Sequence, residues 1–407
     1  MYRILCQQCR APLEERLYRV ACGNCGGPLE FHYAGDVSLG DSSSNSMWKY
    51  RDLLPVRQHS KIVSLQEGFT PLQKTRLHEG VEAYLKNETL NPTGSHKDRA
   101  LSIGVTKALE FGFDTVMLYS DGSTALASAA YAARAGLRNI TVMAPGAPDA
   151  RLLPLMIYDS TILEYQGKPA EALEWVHQAC HPLGIYETST YRRANPYESE
   201  GPKTIGFELF EQLGRTPDWV VVPVGGGATL AGIWRAFLEL ERLGLISKKP
   251  RMVGVLPEGY DILEKAMLRD VRSETDFRSL TLREAPSTLQ VKIAMPCPPD
   301  GLELITAIRE SNGLLIYARD EEALDAQKKL GALEGIYAEP SAAVAWVAVE
   351  KLMRMKKIGE GGTVVAVITG SGFRETGVIA DRLEIKKLCI EPKSGIAALE
   401  RILSRQG

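Results

Sequence analysis

The sequence predicts an α/β fold in which parallel-rich sheets are covered by helices, preceded by a small cysteine-bearing ribbon. Two observations support this prediction. Short β-branched runs alternate with longer helical segments along most of the 407 residues, which is typical of parallel sheets with helices on both faces. Four cysteines also form two C-x2-C pairs close to the start of the chain, a pattern typical of small metal-binding ribbons.

The predicted elements follow one another along the chain. Runs rich in valine, isoleucine and aromatic residues predict strands at 81–86, 115–119, 140–144, 161–165, 219–224, 252–256, 314–317 and 363–369. Helical apolar spacing predicts helices at 100–111, 123–135, 169–179, 230–243 and 341–355. The small polar residues at 40–46 predict a linker after the ribbon.

The bulk composition is that of an ordinary globular protein, with 44% hydrophobic and 24% charged residues. A net charge of −2 with interspersed signs argues against a nucleic-acid-binding surface. No uninterrupted apolar run reaches the roughly 20 residues that a membrane helix needs. Since the first residues also lack the apolar core of a signal peptide, we expect a cytoplasmic protein that binds neither membrane nor nucleic acid.

The two cysteine pairs predict a structural zinc site. Cys6, Cys9, Cys22 and Cys25 have the spacing C-x2-C-x12-C-x2-C, with glycines around the second pair. Pairs of this kind on tight turns are typical of tetrahedral thiolate coordination of zinc. The alternatives are two disulfides, disfavoured in a reducing compartment, or a redox-active pair. With four protein ligands the zinc would stabilise the ribbon and would have no open position for chemistry.

Residues 91–99, with the sequence NPTGSHKDR, place Lys97 between a predicted strand and a predicted helix. Pro92 and Gly94 indicate a turn, and Ser95 is a candidate N-cap. Positive charge is disfavoured near a helix N-terminus, so the neutral, nucleophilic form of Lys97 is easier to reach. A Schiff-base lysine needs such an environment. The alternative is a solvated surface lysine.

Two glycine-rich turns follow buried-strand patterns. The first contains Gly225, Gly226, Gly227, Ala228 and Thr229 before a helical stretch. Backbone N–H groups in such a turn can close around an anion, with help from the helix N-terminus. The turn matches neither a dinucleotide nor a nucleoside-triphosphate motif, and a plain strand-to-helix turn is the alternative. The second turn, at 369–372, has the sequence TGSG.

Residues 91–99 resemble the cofactor-lysine motif of threonine synthases and related fold type II enzymes that use pyridoxal 5'-phosphate (PLP). Residues 67–72, 195–204 and 334–341 resemble further blocks of that family, in the same order. The resemblance implies a two-domain fold type II PLP enzyme with an N-terminal zinc ribbon. The implied boundaries are 1–35 for the ribbon, 36–60 for a linker, 61–97 with 187–390 for a large PLP-binding domain, 98–186 for a small mobile domain, and 391–407 for a C-terminal helix.

The resemblance also implies roles for single residues. Lys97 would bind PLP as a Schiff base and then act as general base on an amino-acid substrate. The turn 225–229 would bind the PLP phosphate, and the hydroxyl of Thr369, or that of Ser371 if the loop shifts, would face the pyridine nitrogen. Ser123 would stand beside the phenolic oxygen. Substrate-side contacts would come from Thr124, Ser95 and His96.

Three departures from the family pattern concern the substrate. Ser123 replaces an asparagine, His96 replaces a phenylalanine common in threonine synthases, and Glu198 occupies the position of a phosphate-binding arginine. An acidic Glu198 would repel a phosphorylated substrate by several kcal/mol in a partly dry site. We therefore expect a homodimeric PLP-dependent carbon-oxygen lyase, either a threonine synthase or a divergent relative. The alternatives are a serine/threonine dehydratase or β-replacing enzyme, or a non-catalytic homologue that binds PLP or an amino acid.

Overall fold

The computed structural model describes residues 2–33, 39–40, 44–76, 80–280, 282 and 285–380. The chain divides into two units, Met1–Arg374 and Glu375–Gly407. Within the described part of the second unit, Thr376–Ala380 is helical. The C-terminal helix predicted at 391–407 lies outside the described residues.

Strands of the described residues fall in three sheets. They are β1 (Tyr2–Cys6), β2 (Pro12–Leu13), β3 (Leu29–Tyr33), β4 (Leu72–Lys74), β5 (Glu82–Asn87), β6 (Thr115–Tyr119), β7 (Arg138–Met143), β8 (Thr161–Glu164), β9 (Tyr186–Glu187), β10 (Trp219–Pro223), β11 (Arg251–Pro257), β12 (Leu314–Ala318) and β13 (Thr363–Ile368).

Helices alternate with these strands over most of the first unit. They are α1 (Lys97–Glu110), α2 (Ser123–Ala135), α3 (Asp149–Ile157), α4 (Pro169–Cys180), α5 (Lys203–Leu213), α6 (Ala228–Arg242), α7 (Ile262–Leu268), α8 (Glu274–Ser279), α9 (Gly301–Glu310), α10 (Asp320–Glu334), α11 (Pro340–Arg354) and, in the second unit, α12 (Thr376–Ala380). Short 3-10 helices lie at Met47–Leu53, Glu88–Leu90, Glu198–Glu200 and Gly372–Arg374.

The largest sheet has six strands in the order β12-β11-β10-β13-β5-β4. Every neighbouring pair is parallel except β4 with β5. All residues of β10 and β13 are buried, because helices cover both faces of a parallel sheet and leave no solvated side. These continuous apolar runs explain why both strands are easily recognised in the sequence.

A second sheet has four parallel strands in the order β8-β7-β6-β9. Helix α2 connects β6 to β7, and both of its ends agree with the predicted bounds. The helix is rich in alanine, and Ala125, Ala127 and Ala129 are almost completely buried. Small side chains allow α2 to pack closely on its neighbours. The α/β fold with parallel sheets and covering helices is thus confirmed.

The N-terminal segment forms a three-stranded antiparallel sheet in the order β2-β1-β3. Its inward residues Tyr2, Ile4, Leu29 and Phe31 belong to the same hydrophobic cluster as β10 and α6. The ribbon therefore shares its core with the six-stranded sheet. Removing it would expose that apolar surface to water.

Each predicted strand is present, and its ends lie within two residues of the prediction. Part of the predicted linker 36–60 is different: Met47–Leu53 is helical, and Met47, Tyr50 and Leu53 are buried. Polar residues at 40–46 indicated a linker, but the apolar residues that follow pack into the core. The domain boundaries stay predictions. No helix in the part of the chain that the structure describes is long and apolar enough to cross a membrane.

Candidate active site

The glycine turn, Thr369 and the segment leading to Lys97 all follow the carboxyl ends of adjacent parallel strands. Strands β10, β13 and β5 are neighbours in the six-stranded sheet. Gly225–Gly227 follow β10, Thr369 follows β13, and α1 with Lys97 follows β5 after a short turn. Ligands of open α/β sheets bind outside this edge. The fold therefore brings three distant sequence motifs to one place.

Helix α1 begins at Lys97, three residues earlier than predicted. The N-cap position is His96, not Ser95 as the sequence indicated. Ser95 still contacts the first helical turn, because the amide of Lys97 donates to its Oγ at 3.3 Å. The carboxylate of Asp98 accepts from the backbone amide of Thr93 at 3.0 Å and from its hydroxyl at 2.9 Å. These hydrogen bonds close the turn before α1 and fix the position of Lys97 at the start of the helix.

A buried network of charges holds α1 from its other side. Arg99 donates to Glu88 at 2.7 Å and to Glu208 at 2.8 Å. Lys86 pairs with the same Glu208. All four side chains are buried, and each charge has an opposite partner, as buried charges require. In this lysine motif, Arg99 therefore serves the structure of the segment that positions Lys97.

The amine of Lys97 lies in a buried environment that disfavours its charged form. Its Nζ donates to Thr190 Oγ1 at 2.7 Å. Burial lowers the pKa of Lys97 to about 8, against the opposing charges of Asp300 and Glu198. More of the amine is neutral near physiological pH than in an ordinary lysine, and nucleophilic attack requires the neutral form. No sequence motif indicated Thr190.

His96 joins the lysine segment to the loop after β13. Its backbone amide and its ring Nδ1 both lie 3.0 Å from the carbonyl oxygen of Thr369. Burial, followed by the charge of Lys97, lowers the pKa of His96 to about 3. The ring is thus neutral, and Nδ1 must carry the hydrogen because a carbonyl only accepts. The amide of Ser371 also donates to the carbonyl of Gly94 at 2.9 Å. These bonds bring Ser95, His96 and Thr369 together with Lys97.

The glycine turn has the shape of an anion cradle. Gly227 has a φ of 103°, and a β-carbon there would lie 2.9 Å from the carbonyl oxygen of Asp300. A β-carbon on Gly225 would lie 3.0 Å from the carbonyl oxygen of Lys292. Helix α6 begins directly afterwards with Ala228 and Thr229. Backbone close to a helix N-terminus and without side chains suits a phosphate, so this turn fits the phosphate of PLP.

Asp300 lies against the same turn. Its amide donates to the carbonyl of Gly226 at 2.9 Å, and its Oδ1 accepts the amide of Arg192 at 2.9 Å. Its buried Oδ2 has no hydrogen-bond partner among the described residues. Burial, then the charge of Glu303, raises the pKa of Asp300 to about 7. A buried, half-satisfied carboxyl of this kind is typical of functional sites. No sequence motif indicated it.

Ser123 and Thr124 come from the second sheet. They are the first two residues of α2, directly after β6 and a short turn. The N-cap position is Gly122, which gives no side-chain cap to the helix. A β-carbon on Gly122 would lie 2.9 Å from Nζ of Lys292. Because Lys292 also contacts Gly225, it connects the turn at Ser123 to the glycine turn.

Glu198 does not act as the sequence led us to expect. It is fully buried, and its carboxyl faces α1, where a β-carbon on Gly104 would overlap it. Asn195 donates to Oε1 at 2.9 Å. Burial, followed by the charge of Glu187, raises the pKa of Glu198 well above its ordinary value although Lys97 opposes the shift. Because the carboxyl is buried and its charged form is disfavoured, the structure weakens the reason to expect repulsion of a phosphorylated substrate.

The four ribbon cysteines lie together, apart from the lysine motif. The sulfur atoms of Cys6, Cys9, Cys22 and Cys25 all lie within 4.8 Å of one another. Cys6 and Cys25 are 3.4 Å apart, and Cys9 and Cys22 are 3.7 Å apart. Four thiolates about 2.3 Å from one central ion would have similar separations. The donor set thus fits a closed zinc site.

Comparisons with known proteins agree with this geometry. A family described as pyridoxal-phosphate dependent enzymes matches residues 63–370. A threonine synthase of Methanosarcina acetivorans is 35% identical over 404 residues, covering 96% of this chain and 95% of that protein. A threonine synthase of Methanocaldococcus jannaschii is 35% identical, covering 81% and 80%.

Solved structures are similar in fold. A cysteine synthase from Entamoeba histolytica has a TM-score of 0.64 at 19% identity and covers 79% of this chain and 90% of its own. A processed threonine deaminase from Solanum lycopersicum has a TM-score of 0.63 at 20% identity, covering 77% and 82%. Identities this low bear on the fold alone. On the sequence matches, the chain belongs to the pyridoxal-phosphate-dependent enzyme family, together with the threonine synthases.

Proposed function

We propose that the protein is a threonine synthase that acts on a phosphorylated amino acid and uses PLP on Lys97. The observation that carries the proposal is the placement of Lys97 at the start of α1, with a lowered pKa and beside two loops that fit a cofactor. The similarity to threonine synthases over almost the whole chain supports the choice of reaction. The burial of Glu198 weakens the argument against a phosphate ester.

Residues of three loops would hold the cofactor. The turn Gly225–Gly227 with Ala228 and Thr229 would bind its phosphate, Thr369 would face its ring nitrogen, and Ser123 would stand beside its ring oxygen. When bound, PLP withdraws electrons from the substrate's α-carbon. A neutral hydroxyl at Thr369 does not hold the ring protonated as a carboxylate would, which favours elimination over transamination.

The chain's own groups would bind the substrate and move its protons. The amine of Lys97 would take the proton from the substrate's α-carbon, since its lowered pKa makes the neutral form easier to reach. Thr190, which accepts a hydrogen bond from Lys97 Nζ, would orient that amine. Thr124 and the turn before it would bind the substrate's carboxylate at the start of α2.

A paired assay tests the reaction. O-phosphohomoserine should give phosphate and threonine in equal amounts, and Lys97→Ala should abolish both products together with the visible absorbance of the bound cofactor. A parallel panel of serine, threonine and O-acetylated amino acids tests the β-replacing and dehydratase alternatives. Turnover of the panel without phosphate release from O-phosphohomoserine would contradict the proposal. Binding of PLP without any turnover would favour the non-catalytic alternative.

We also propose that the ribbon holds a structural zinc ion through Cys6, Cys9, Cys22 and Cys25. The compact thiol cluster supports this proposal, and a site with four protein ligands has no open position for chemistry. Metal analysis of the purified protein should give one zinc per chain, and Cys9→Ser with Cys25→Ser should remove it. Cys297→Ser, a cysteine outside the cluster, is the matched control. The homodimer and the cytoplasmic location stay predictions.

A further inference from the structure

We propose that Lys292 binds the anionic side-chain group of the substrate, a phosphate ester, where α2 begins. This inference rests on the proposed function and makes it more specific: it assigns a cation to the substrate's leaving group. The family pattern offers an arginine at position 198, and this chain has a buried glutamate there. A different part of the fold would then supply the positive charge.

The position of Lys292 is the first argument. Its backbone amide donates to Ser341 Oγ at 3.1 Å, which anchors the residue to the start of α11. Its carbonyl lies against Gly225 and its amine against Gly122. The side chain thus extends from the glycine turn of the large sheet to the turn before α2. A cation in that position borders the space between the two loops that would hold cofactor and substrate.

The local charges are the second argument. Asp121 is the acidic residue directly before Gly122, and its carboxylate is paired with Arg151 at 2.6 Å. The N-terminus of α2 carries partial positive charge, and Gly122 gives it no side-chain cap. An ammonium group beside a helix N-terminus is a favourable place for a phosphate, for which lysine acts as a mobile point charge.

A second polar group indicates that a ligand binds here. Asp300 is buried and lies against the same glycine turn as Lys292, and its Oδ2 has no partner within the described ranges. With a pKa of about 7, it is largely protonated at slightly acidic pH. A protonated carboxyl can donate a hydrogen bond to an anion. Lys292 lies against Gly225 and Asp300 against Gly227, so both residues border the region where cofactor and substrate would bind.

The side-chain anion is the group of the substrate that lacks another partner. Its amino group would react at the cofactor, and its carboxylate would meet Thr124 in the first turn of α2. The cofactor's own phosphate would lie in the glycine turn, whereas the amine of Lys292 points to Gly122. The leaving group is therefore the anion that Lys292 is placed to bind.

The test is a binding comparison on the holoenzyme with two unreactive probes. The first, 2-amino-5-phosphonopentanoate, replaces the bridging oxygen of O-phosphohomoserine by a methylene group, and the second, norvaline, has the same carbon chain without the phosphonate. Titration calorimetry should show that Lys292→Met weakens the phosphonate about 10- to 100-fold, the range expected for one charged hydrogen bond. Norvaline binding should be unchanged. Lys292→Arg should retain much of the phosphonate affinity.

Control measurements separate the rival roles. Lys248→Met changes an exposed lysine that is paired with Asp218, and it should leave both affinities unchanged. Equal weakening of norvaline would assign Lys292 to the carboxylate and overturn the proposal. Loss of PLP from Lys292→Met, seen as lost visible absorbance, would assign it to the cofactor and also overturn it. Retained absorbance with unchanged phosphonate affinity would refute Lys292 while leaving the proposed function intact.

Discussion

Gly104 and Glu198 occupy one space: the glutamate carboxyl fills the volume that a β-carbon on the glycine would need. Gly104 lies two turns into α1 from Lys97. The missing side chain allows Glu198 to turn into the core and away from solvent. The pairing explains how an acidic residue can stand at this position with its carboxyl buried and its charged form disfavoured.

We predict that Gly104→Ala destabilises the protein by about 1–3 kcal/mol, the usual range for overpacking a filled core. Helix propensity alone would favour alanine by up to about 1 kcal/mol. A loss of stability would therefore show that the new β-carbon collides with Glu198. Chemical denaturation measures the effect. Adding Glu198→Ser, which shortens the opposing side chain, should recover stability, and the double-mutant cycle should show coupling between the two sites. Additive effects would contradict the contact.

Asp300 should make stability depend on pH. Its folded pKa of about 7 lies above its ordinary value of 3.8, so between these values the folded protein binds more protons than the unfolded chain. Stability contributed by this group is therefore fully present below the ordinary value and is lost as pH rises through about 7. Asp300→Asn keeps an acceptor for the amide of Arg192 and cannot ionise.

The measurement is thermal unfolding of the apoprotein at pH 5 and at pH 8. Relative to the parent protein, Asp300→Asn should be more stable at pH 8 than at pH 5. It should also flatten the pH dependence of binding to pyridoxamine 5'-phosphate, because ionised Asp300 would repel the phosphate in the adjacent turn. If the stability of the two proteins changed with pH in the same way, Asp300 would not titrate in this range, and the prediction would be contradicted.

The lowered pKa of Lys97 predicts the pH dependence of cofactor loading. Only the neutral amine attacks the aldehyde of PLP, so the second-order rate of loading into the apoprotein should rise with pH and level off above about 8. Stopped-flow absorbance follows the reaction. Thr190→Val removes the hydroxyl that accepts from Nζ and should shift the midpoint. A rate that keeps rising towards pH 10.5, the ordinary value for lysine, would contradict the lowered pKa.

Removing the zinc should lower the stability of the whole first unit. The ribbon shares a hydrophobic cluster with β10 and α6, and a ligand that binds only the folded state stabilises it by mass action. A strong chelator should therefore lower the melting temperature of the single main transition. Added zinc should reverse the shift. The Cys9→Ser, Cys25→Ser protein should melt at the lower temperature and should not respond to chelator or metal.

The sequence predicted the strands, because β10 and β13 are continuous apolar runs whose burial on both faces is visible in composition. It predicted Lys97 and the glycine turn, because each has a local motif. It did not indicate Lys292 or Asp300, which reach the site from a segment without regular pattern. It also did not show that Glu198 is buried, and burial disfavours the charged carboxyl on which the expected repulsion of a phosphate depended.

Arg192 makes the ribbon part of the catalytic unit. Its guanidinium donates to the carbonyl of Leu29 at the start of β3, and its amide donates to Asp300 beside the glycine turn. Tyr33, at the other end of β3, donates to Glu200 at 3.0 Å. The ribbon is thus not an interchangeable module: a gene rearrangement that exchanged it for an unrelated ribbon would also remove support from the cofactor loop. The two parts would have to be inherited together.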